Sequence, residues 1–241
     1  MKRTRPIHRT RGDPGPAIDH WLKWPLLILL AVFVLALFWA REQAEIVLFG
    51  LRLLELAAAL AVLLAAAYGA LVYQDQRRIA AREIEQAAAA DAFWNPERLN
   101  ERVKALAEPY WRALAANDIG PVAASLTEDW RDYLTERLAG WRQNRTRPVL
   151  LDFAWREASV VGLEDWQANH RDRVTVRVDV QTSFHVNHLP SGELVEGFAG
   201  SRPEQQLWTL ARGKTDWLIA GIELVGGGAA YRHCTVFREA V

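Results

Sequence analysis

The segment RDRVTVRVDVQTSF, residues 171–184, decides the fold of the C-terminal part of the chain. Its valines alternate with polar residues, and successive side chains of a strand point to opposite faces of a sheet. This period of two predicts a strand with one apolar and one polar face. The apolar positions are Val174, Val176, Val178 and Val180.

Further strand patterns lie on both sides of this segment. Residues 150–163 predict its partner strand, with the turn EDWQANHRD between them. After it, HLPSGELVEG (188–197) indicates a turn or loop, whereas residues 204–213 and 217–225 each predict a strand. Strands joined directly in sequence favour an antiparallel sheet.

Helical patterns precede the strands. Asn95 is a good N-cap and Pro96 suits the first helical position. In YWRALAANDIGPVAASLTEDWRDYL (110–134), aromatic residues recur at helical spacing, so we interpret them as core and not as a catalytic pocket. Ser125 and Glu128 have the spacing of a capping box that opens a further helix. The predicted class is α+β, with helices packed on a curved antiparallel sheet.

The N-terminal third carries two uncharged apolar segments, residues 24–40 and 56–72. Each is close to the ~17-residue minimum for a membrane-spanning helix. We predict a disordered basic leader over 1–20 and a transmembrane helical hairpin over 21–73. A cleaved signal peptide is the alternative for the first segment.

Basic residues predict the orientation of the hairpin. They precede the first span and follow the second, so the positive-inside rule places both termini and the soluble domain in the cytoplasm, in a multi-pass protein of the bacterial inner membrane. The three that follow the second span, candidate membrane or partner contacts, are Arg77, Arg78 and Arg82. Residues 74–94 are helix-forming, but their apolar positions are mostly alanine, which predicts a helical stalk or a surface-lying helix.

Arg52 and Glu55 lie three residues apart near the start of the second apolar segment. They are a candidate intramembrane pair that marks a site for a partner or an ion. The alternative is that both side chains reach water at the interface.

The amino-acid composition limits the kinds of ligand and partner that the chain is expected to bind. The 29 basic and 29 acidic residues balance, so no overall field attracts nucleic acid. Cys234 is the single cysteine, which excludes a cysteine-rich zinc site. A local group of arginines, Arg137, Arg142, Arg145 and Arg147, suits an anionic lipid surface or an acidic partner, with a solvated connector as the alternative, and the last three are candidate contacts.

The histidines offer weak candidates for catalysis. His170, His185, His188 and His233 lie outside the leader, with Asp172 and Asp179 near them in sequence. We expect each histidine to face solvent, and we predict no metal, no cofactor and no catalytic residue. The sequence contains no P-loop, dinucleotide fingerprint, nucleophile elbow or metalloprotease motif.

The order of these elements resembles the Tim44-like domain, a branch of the NTF2-like cone folds. The matching positions are Leu126-Thr127, Trp208-Thr209 and Trp217-Leu218, and the resemblance covers about residues 95–225. It implies a domain that binds membranes and proteins. The chain has a predicted membrane hairpin and lacks the long chaperone-binding region of the mitochondrial import protein, so import-motor function is not expected.

We therefore expect a membrane-anchored scaffold or adaptor and not an enzyme, with anionic headgroups and an unidentified membrane or cytoplasmic protein as partners. One alternative is an NTF2-like cone that binds a small ligand or catalyses a reaction, which requires His185 or an acid to point into a sealed cavity. Another is a VirB8-like assembly subunit. The tail, residues 226–241, is expected to form a short edge strand or an interaction peptide.

Overall fold

The structure, a computed structural model, describes residues 16–39, 44–225 and 228–239. These residues form two compact units that divide between Val72 and Tyr73. Most of the predicted leader, Arg41 between the two apolar segments, and the last two residues of the tail lie outside the described residues.

The first unit is helical. It contains α1, Pro16–Trp39, and the first part of α2, Ala44–Ala90. Among the described residues, the stretch Gly50–Ala90 of α2 is long and apolar enough to cross a membrane, with a mean hydropathy of 2.2 in its most apolar window. The apolar part of α1, Leu27–Ala36, is shorter than a membrane span, so the described residues contain one helix of spanning length and not a clear two-helix hairpin.

The second unit is α+β, as predicted. Its helices are the last part of α2, then α3, Pro96–Ala115, and α4, Glu128–Gln143. Six strands form one sheet in the order β5-β4-β2-β1-β6, and β3 pairs with β2 beside β4. The strands are β1, Thr146–Asp165; β2, Arg173–His188; β3, Leu194–Gly197; β4, Arg202–Arg212; β5, Trp217–Leu224; and β6, Val236–Arg238. The expected sheet was wholly antiparallel, but β6 runs parallel to β1, which makes the sheet mixed.

The valine face of β2 forms the core. Val174, Val176, Val178 and Val180 are all at most 1% exposed. Val176 pairs with Trp208 of β4, whose side chain is fully buried and lies edge-on to Tyr110 of α3, with 5.6 Å between ring centroids. Burial of such aromatic side chains supplies much of the apolar area removed from water. Tyr110, Trp111 and Leu134 of the stretch 110–134 therefore pack as core, as their spacing indicates, but Tyr133 is 47% exposed.

The predicted N-cap of α3, Asn95, is confirmed, whereas the predicted N-cap of α4, Ser125, is wrong. Asn95 Oδ1 accepts a hydrogen bond from Arg98 N at 2.7 Å, as an N-cap does. At α4 the cap is Thr127, whose Oγ1 accepts from Trp130 N at 3.4 Å. The predicted cap Ser125 instead accepts a bond from Arg102 Nη2 at 3.1 Å, because a 3-10 helix over Gly120–Ser125 places it one turn too early.

The segment predicted as a stalk, residues 74–94, packs within the α+β unit. Ala80, Ile84 and Ala87 are at most 2% exposed. At the start of this segment, Tyr73 lies against the polar face of the sheet and shares a 2.8 Å hydrogen bond with Ser159. Buried alanines such as Ala80 and Ala87 show that an alanine-rich pattern can belong to a packed element.

The C-terminal tail forms an edge strand, one of its two expected roles. Strand β6 pairs with the end of β1, residues Leu163–Asp165. Arg238 Nε lies 3.1 Å from Asp165 Oδ2, and Tyr231 of the preceding 3-10 helix is 3% exposed. The tail is therefore part of the folded unit as far as residue 239.

Candidate interaction surface at the hairpin end

The β2–β3 hairpin carries an exposed edge strand that the sequence patterns did not predict. All four residues of β3 are exposed, and the segment was interpreted as a turn or loop. Its pairing with β2 joins His185 to Gly197, Val186 to Glu196 and Asn187 to Leu194. Within the described chain β3 has no second strand partner, so its outer edge is open.

Gly197 explains why β3 approaches β2 as closely as it does. Its φ is +83°, a conformation that L side chains rarely adopt. A Cβ at this position would lie 2.5 Å from the Phe184 carbonyl oxygen and 2.9 Å from His185 Cα. Glycine therefore fixes the position where the exposed strand ends.

Large apolar side chains lie exposed around this strand. The exposed fractions are 61% for Leu189, 47% for Leu194, 59% for Val195 and 49% for Phe198. Single exposed apolar residues are ordinary, whereas a group of four within ten residues indicates a surface that binds something.

The predicted arginine group lies beside these residues. Arg147 pairs with Asn187, and Asn187 pairs with Leu194, so the three residues form one row across β1, β2 and β3. Residues that face each other across a ladder share one face of the sheet. Arg145, with φ +52°, accepts a hydrogen bond at its carbonyl from Leu189 N at 2.8 Å. The α4–β1 turn and the β2–β3 turn therefore touch.

Arg142, Arg145 and Arg147 of this group are exposed, whereas Arg137 is half-buried and pairs with Glu196. Within the described residues the guanidinium groups of the three exposed arginines form no ion pair, so their charges are free to meet a ligand. We call the combined area the hairpin-end surface. It consists of Arg142, Arg145, Arg147, Leu189, Leu194, Val195 and Phe198.

Helix α4 holds β3 from the other face of the sheet. Glu196 forms an ion pair with Arg137 of α4, whose guanidinium carbon lies 5.1 Å from the Trp141 ring centroid. Glu196 pairs with Val186, a fully buried core residue. The inner face of β3 is therefore fixed to the core, and the outer face with Leu194 is left open.

The other predicted contact residues are exposed but lie elsewhere. Arg77, Arg78 and Arg82 are exposed on α2 and, among the described residues, form no ion pair. Arg52 and Glu55 are also exposed on α2, and the structure shows no ion pair between them. The six predicted arginines thus fall into two groups on different elements.

The expectation that each histidine faces solvent is wrong for His185, which is 4% exposed. The register of β1 on β2 shifts between Leu150 and Phe153. In this irregular part of β1, the amides of Leu151 and Asp152 donate to Ser183 Oγ of β2 at 3.0 and 2.7 Å. Asp152 also accepts from Ser201, in the loop after β3, at 2.8 Å. His185 Nδ1 donates to the Ser183 carbonyl at 2.9 Å, which fixes its tautomer.

The other three histidines outside the leader are not buried. His170 and His233 are exposed, and His188 Nδ1 lies 3.0 Å from Ser191 Oγ. Within the described part of the chain no histidine bonds to a carboxylate. The described residues also contain no group of three histidine, cysteine or acidic side chains placed to hold a metal ion.

An ion pair between Arg177 and Asp179 lies beside Tyr73 on the polar face of the sheet. Arg177 binds Asp179 through both carboxylate oxygens, at 2.8 and 2.5 Å, and its guanidinium carbon is 4.1 Å from the Tyr73 ring centroid. Burial works against the charge of Arg177, but the bond to Asp179 and the nearby tyrosines raise its pKa. Burial raises the pKa of Tyr231 to about 12 despite the nearby Arg177.

A second buried charge joins three segments. Asp172 is fully buried, and Arg212 Nη1 lies 3.1 Å from its Oδ2 and 2.5 Å from Asp91 Oδ2. Burial raises the pKa of Asp172 in spite of bonds from Trp166 N and Arg212. Burial also opposes the charge of Asp91, but bonds from Phe93 N and Arg212 outweigh it and lower that pKa.

Two shallow clefts open on the α+β unit. One, of about 280 Å³, is lined by Arg156, Glu157, Asp179 and Glu204 among others. Asp179 binds Arg177 there, and Glu204 binds Arg202 at 3.1 Å. The other, of about 270 Å³, lies between α3 and β1 and includes Leu99 and Val176.

Comparison with solved structures gives weak similarity, with one chloroplast protein as an example. No protein-family model matches the chain, and no curated protein matches its sequence. The intermembrane-space region of the chloroplast protein ARC6 is similar over 44% of this chain and 76% of that chain, with 16% identity and a TM-score of 0.33.

Proposed function

We propose that this protein is a membrane-anchored scaffold or adaptor whose α+β unit binds a partner protein through the hairpin-end surface. The observation that carries the proposal is the hydrogen bond from Leu189 N to the Arg145 carbonyl, which joins the hairpin with its exposed apolar residues to the segment that bears the unpaired Arg142, Arg145 and Arg147. Binding surfaces combine apolar anchors with charges that select and orient the partner.

The proposal includes two spans and a cytoplasmic α+β unit of the NTF2-like type. The long apolar part of α2 and the apolar segment of α1 support two spans, and the basic residues after the second span support the orientation. Contacts of α3 and α4 with the sheet support the cone architecture. A reporter fused to the C-terminus tests the topology: cytoplasmic activity is expected, and periplasmic activity would favour the VirB8-like alternative.

Quantitative co-purification tests the adaptor function. The tagged full chain, at native abundance, is extracted in mild detergent, and the proteins that travel with it are quantified by mass spectrometry. The test variant is Leu189→Glu and the matched control is Leu224→Glu, because both leucines are 61% exposed and Leu224 lies on β5.

The expected result is a stoichiometric partner that the Leu224→Glu variant keeps and the Leu189→Glu variant loses by about tenfold or more. Equal recovery from both variants would contradict the role of the hairpin-end surface. A chain that carries a small molecule and no protein partner would instead favour the ligand-binding cone.

A further inference from the structure

The open edge of β3 has a backbone chemistry that restricts its partner. In an antiparallel pair, every second residue directs its N–H and C=O groups away from its neighbour. The outer edge of Leu194–Gly197 has no strand partner among the described residues, and all four residues are exposed. Such an edge is a template for an added strand.

We propose that the hairpin-end surface binds an extended, acidic and apolar peptide segment of the partner, which adds to β3 as a further strand. This inference rests on the proposed function and specifies the partner of the same surface. Peptide carbonyls and amides complete the open edge, and alternate side chains reach the row formed by Arg147, Asn187 and Leu194.

The charge of the surface selects an acidic segment. Arg142, Arg145 and Arg147 carry unpaired positive charges, and Glu193 is the exposed acid of the adjoining turn. Strands lie about 4.8 Å apart, so Arg147 and Leu194, two strands apart in one row, are separated by about 10 Å. A strand added beyond β3 lies one spacing further, about 14 Å from Arg147, so attraction between its carboxylates and this arginine is strongest at low ionic strength.

Three other occupants fit less well. The leader of this chain carries Lys2, Arg3 and Arg5, and like charges would repel it. A second copy pairing through β3 would bring the same arginines together. Burial of the edge in lipid hydrocarbon would leave backbone N–H and C=O groups without partners, at a cost of several kcal/mol for each group.

The probe for the test is a fluorescent peptide of alternating valine and glutamate, titrated by anisotropy into the full chain in zwitterionic nanodiscs. Two control peptides isolate the two causes of binding. One has lysine in place of glutamate, and the other has N-methyl groups on alternate amides, which block strand pairing and keep the charge.

We expect the acidic peptide to bind at least about tenfold more tightly than either control peptide. Arg147→Glu should weaken its binding by about tenfold, and Arg131→Glu, an exposed arginine of α4, should not. Hydrogen exchange should show new protection of β3 amides when the acidic peptide is present.

Several results would overturn the inference. N-methylated and unmodified peptides that bind equally well would exclude strand addition. Protection of β3 in nanodiscs with anionic lipid and no peptide would assign the surface to the membrane. If either occurs while Leu189→Glu still loses the partner, the adaptor function stands without this binding mode; if Leu189→Glu keeps the partner, the proposed function fails as well.

Discussion

Arg212 connects carboxylates on two segments, Asp91 after α2 and Asp172 before β2. Asp172 is fully buried, so removal of the cation would leave a buried charge without its partner. We predict that Arg212→Met lowers the free energy of unfolding by about 3 kcal/mol. Urea unfolding in mild detergent, followed by tryptophan fluorescence, measures this value.

A matched control removes an arginine from an exposed pair. Arg112 binds Glu108 one turn away on α3, and both side chains are largely exposed. Arg112→Met should cost less than about 1 kcal/mol. Equal losses in the two variants would show that the buried carboxylate does not depend on Arg212.

Asp172 should also give stability a particular pH dependence. Its pKa is raised by burial, so the folded state binds a proton more readily than the unfolded chain, whose aspartate pKa is about 3.9. The contribution of Asp172 to stability therefore falls as pH rises through the interval between those two pKa values. We predict that wild type gains stability relative to Asp172→Asn as pH falls from 7 towards about 4.

The contribution of Asp91 to stability should depend on pH in the opposite direction. Its pKa is lowered in the folded state, so its contribution is present above about 3.9 and is lost as pH falls further. Urea unfolding of wild type, Asp172→Asn and Asp91→Asn across this range measures both effects. A constant difference between wild type and Asp172→Asn would contradict the assigned shift.

At the scale of elements, the last part of α2 is the clearest test of the fold. Ala80 is fully buried against the α+β unit, and the next residue, Ala81, is exposed. Ala80→Leu should destabilise that unit by about 1–3 kcal/mol through overpacking. Ala81→Leu is the matched control and should change stability by less than about 0.5 kcal/mol, since both residues favour helix. Tolerance of both changes would indicate a stalk.

Element type was predictable where a pattern repeats over many residues. The valine alternation of β2 and the start of α3 at Asn95 rest on side-chain direction and capping, which are local properties. The start of α4 was misassigned, because Ser125 and Thr127 both suit an N-cap and tertiary contacts decide between them. Strand β3 was missed because four exposed residues with glutamate and glycine have no periodic signal, and pairing with β2 alone makes them a strand.

At the scale of the whole molecule, the candidate site was predictable only in part. The sequence indicates Arg142, Arg145 and Arg147 as a charged group, but not the apolar residues beside them. Their neighbours Leu189 and Leu194 come more than 40 positions later in the chain. The register of β1 on β2 brings them together, and register depends on which face of each strand is buried.

The central claim is that the hairpin-end surface contacts a protein in the cell, and site-specific photocrosslinking tests it most directly. A photoreactive amino acid is placed at Val195, which is 59% exposed, and in a control at Leu224, which is 61% exposed. The account predicts one discrete protein adduct from position 195 and none from position 224. Adducts confined to lipid, or the same adducts from both positions, would contradict it.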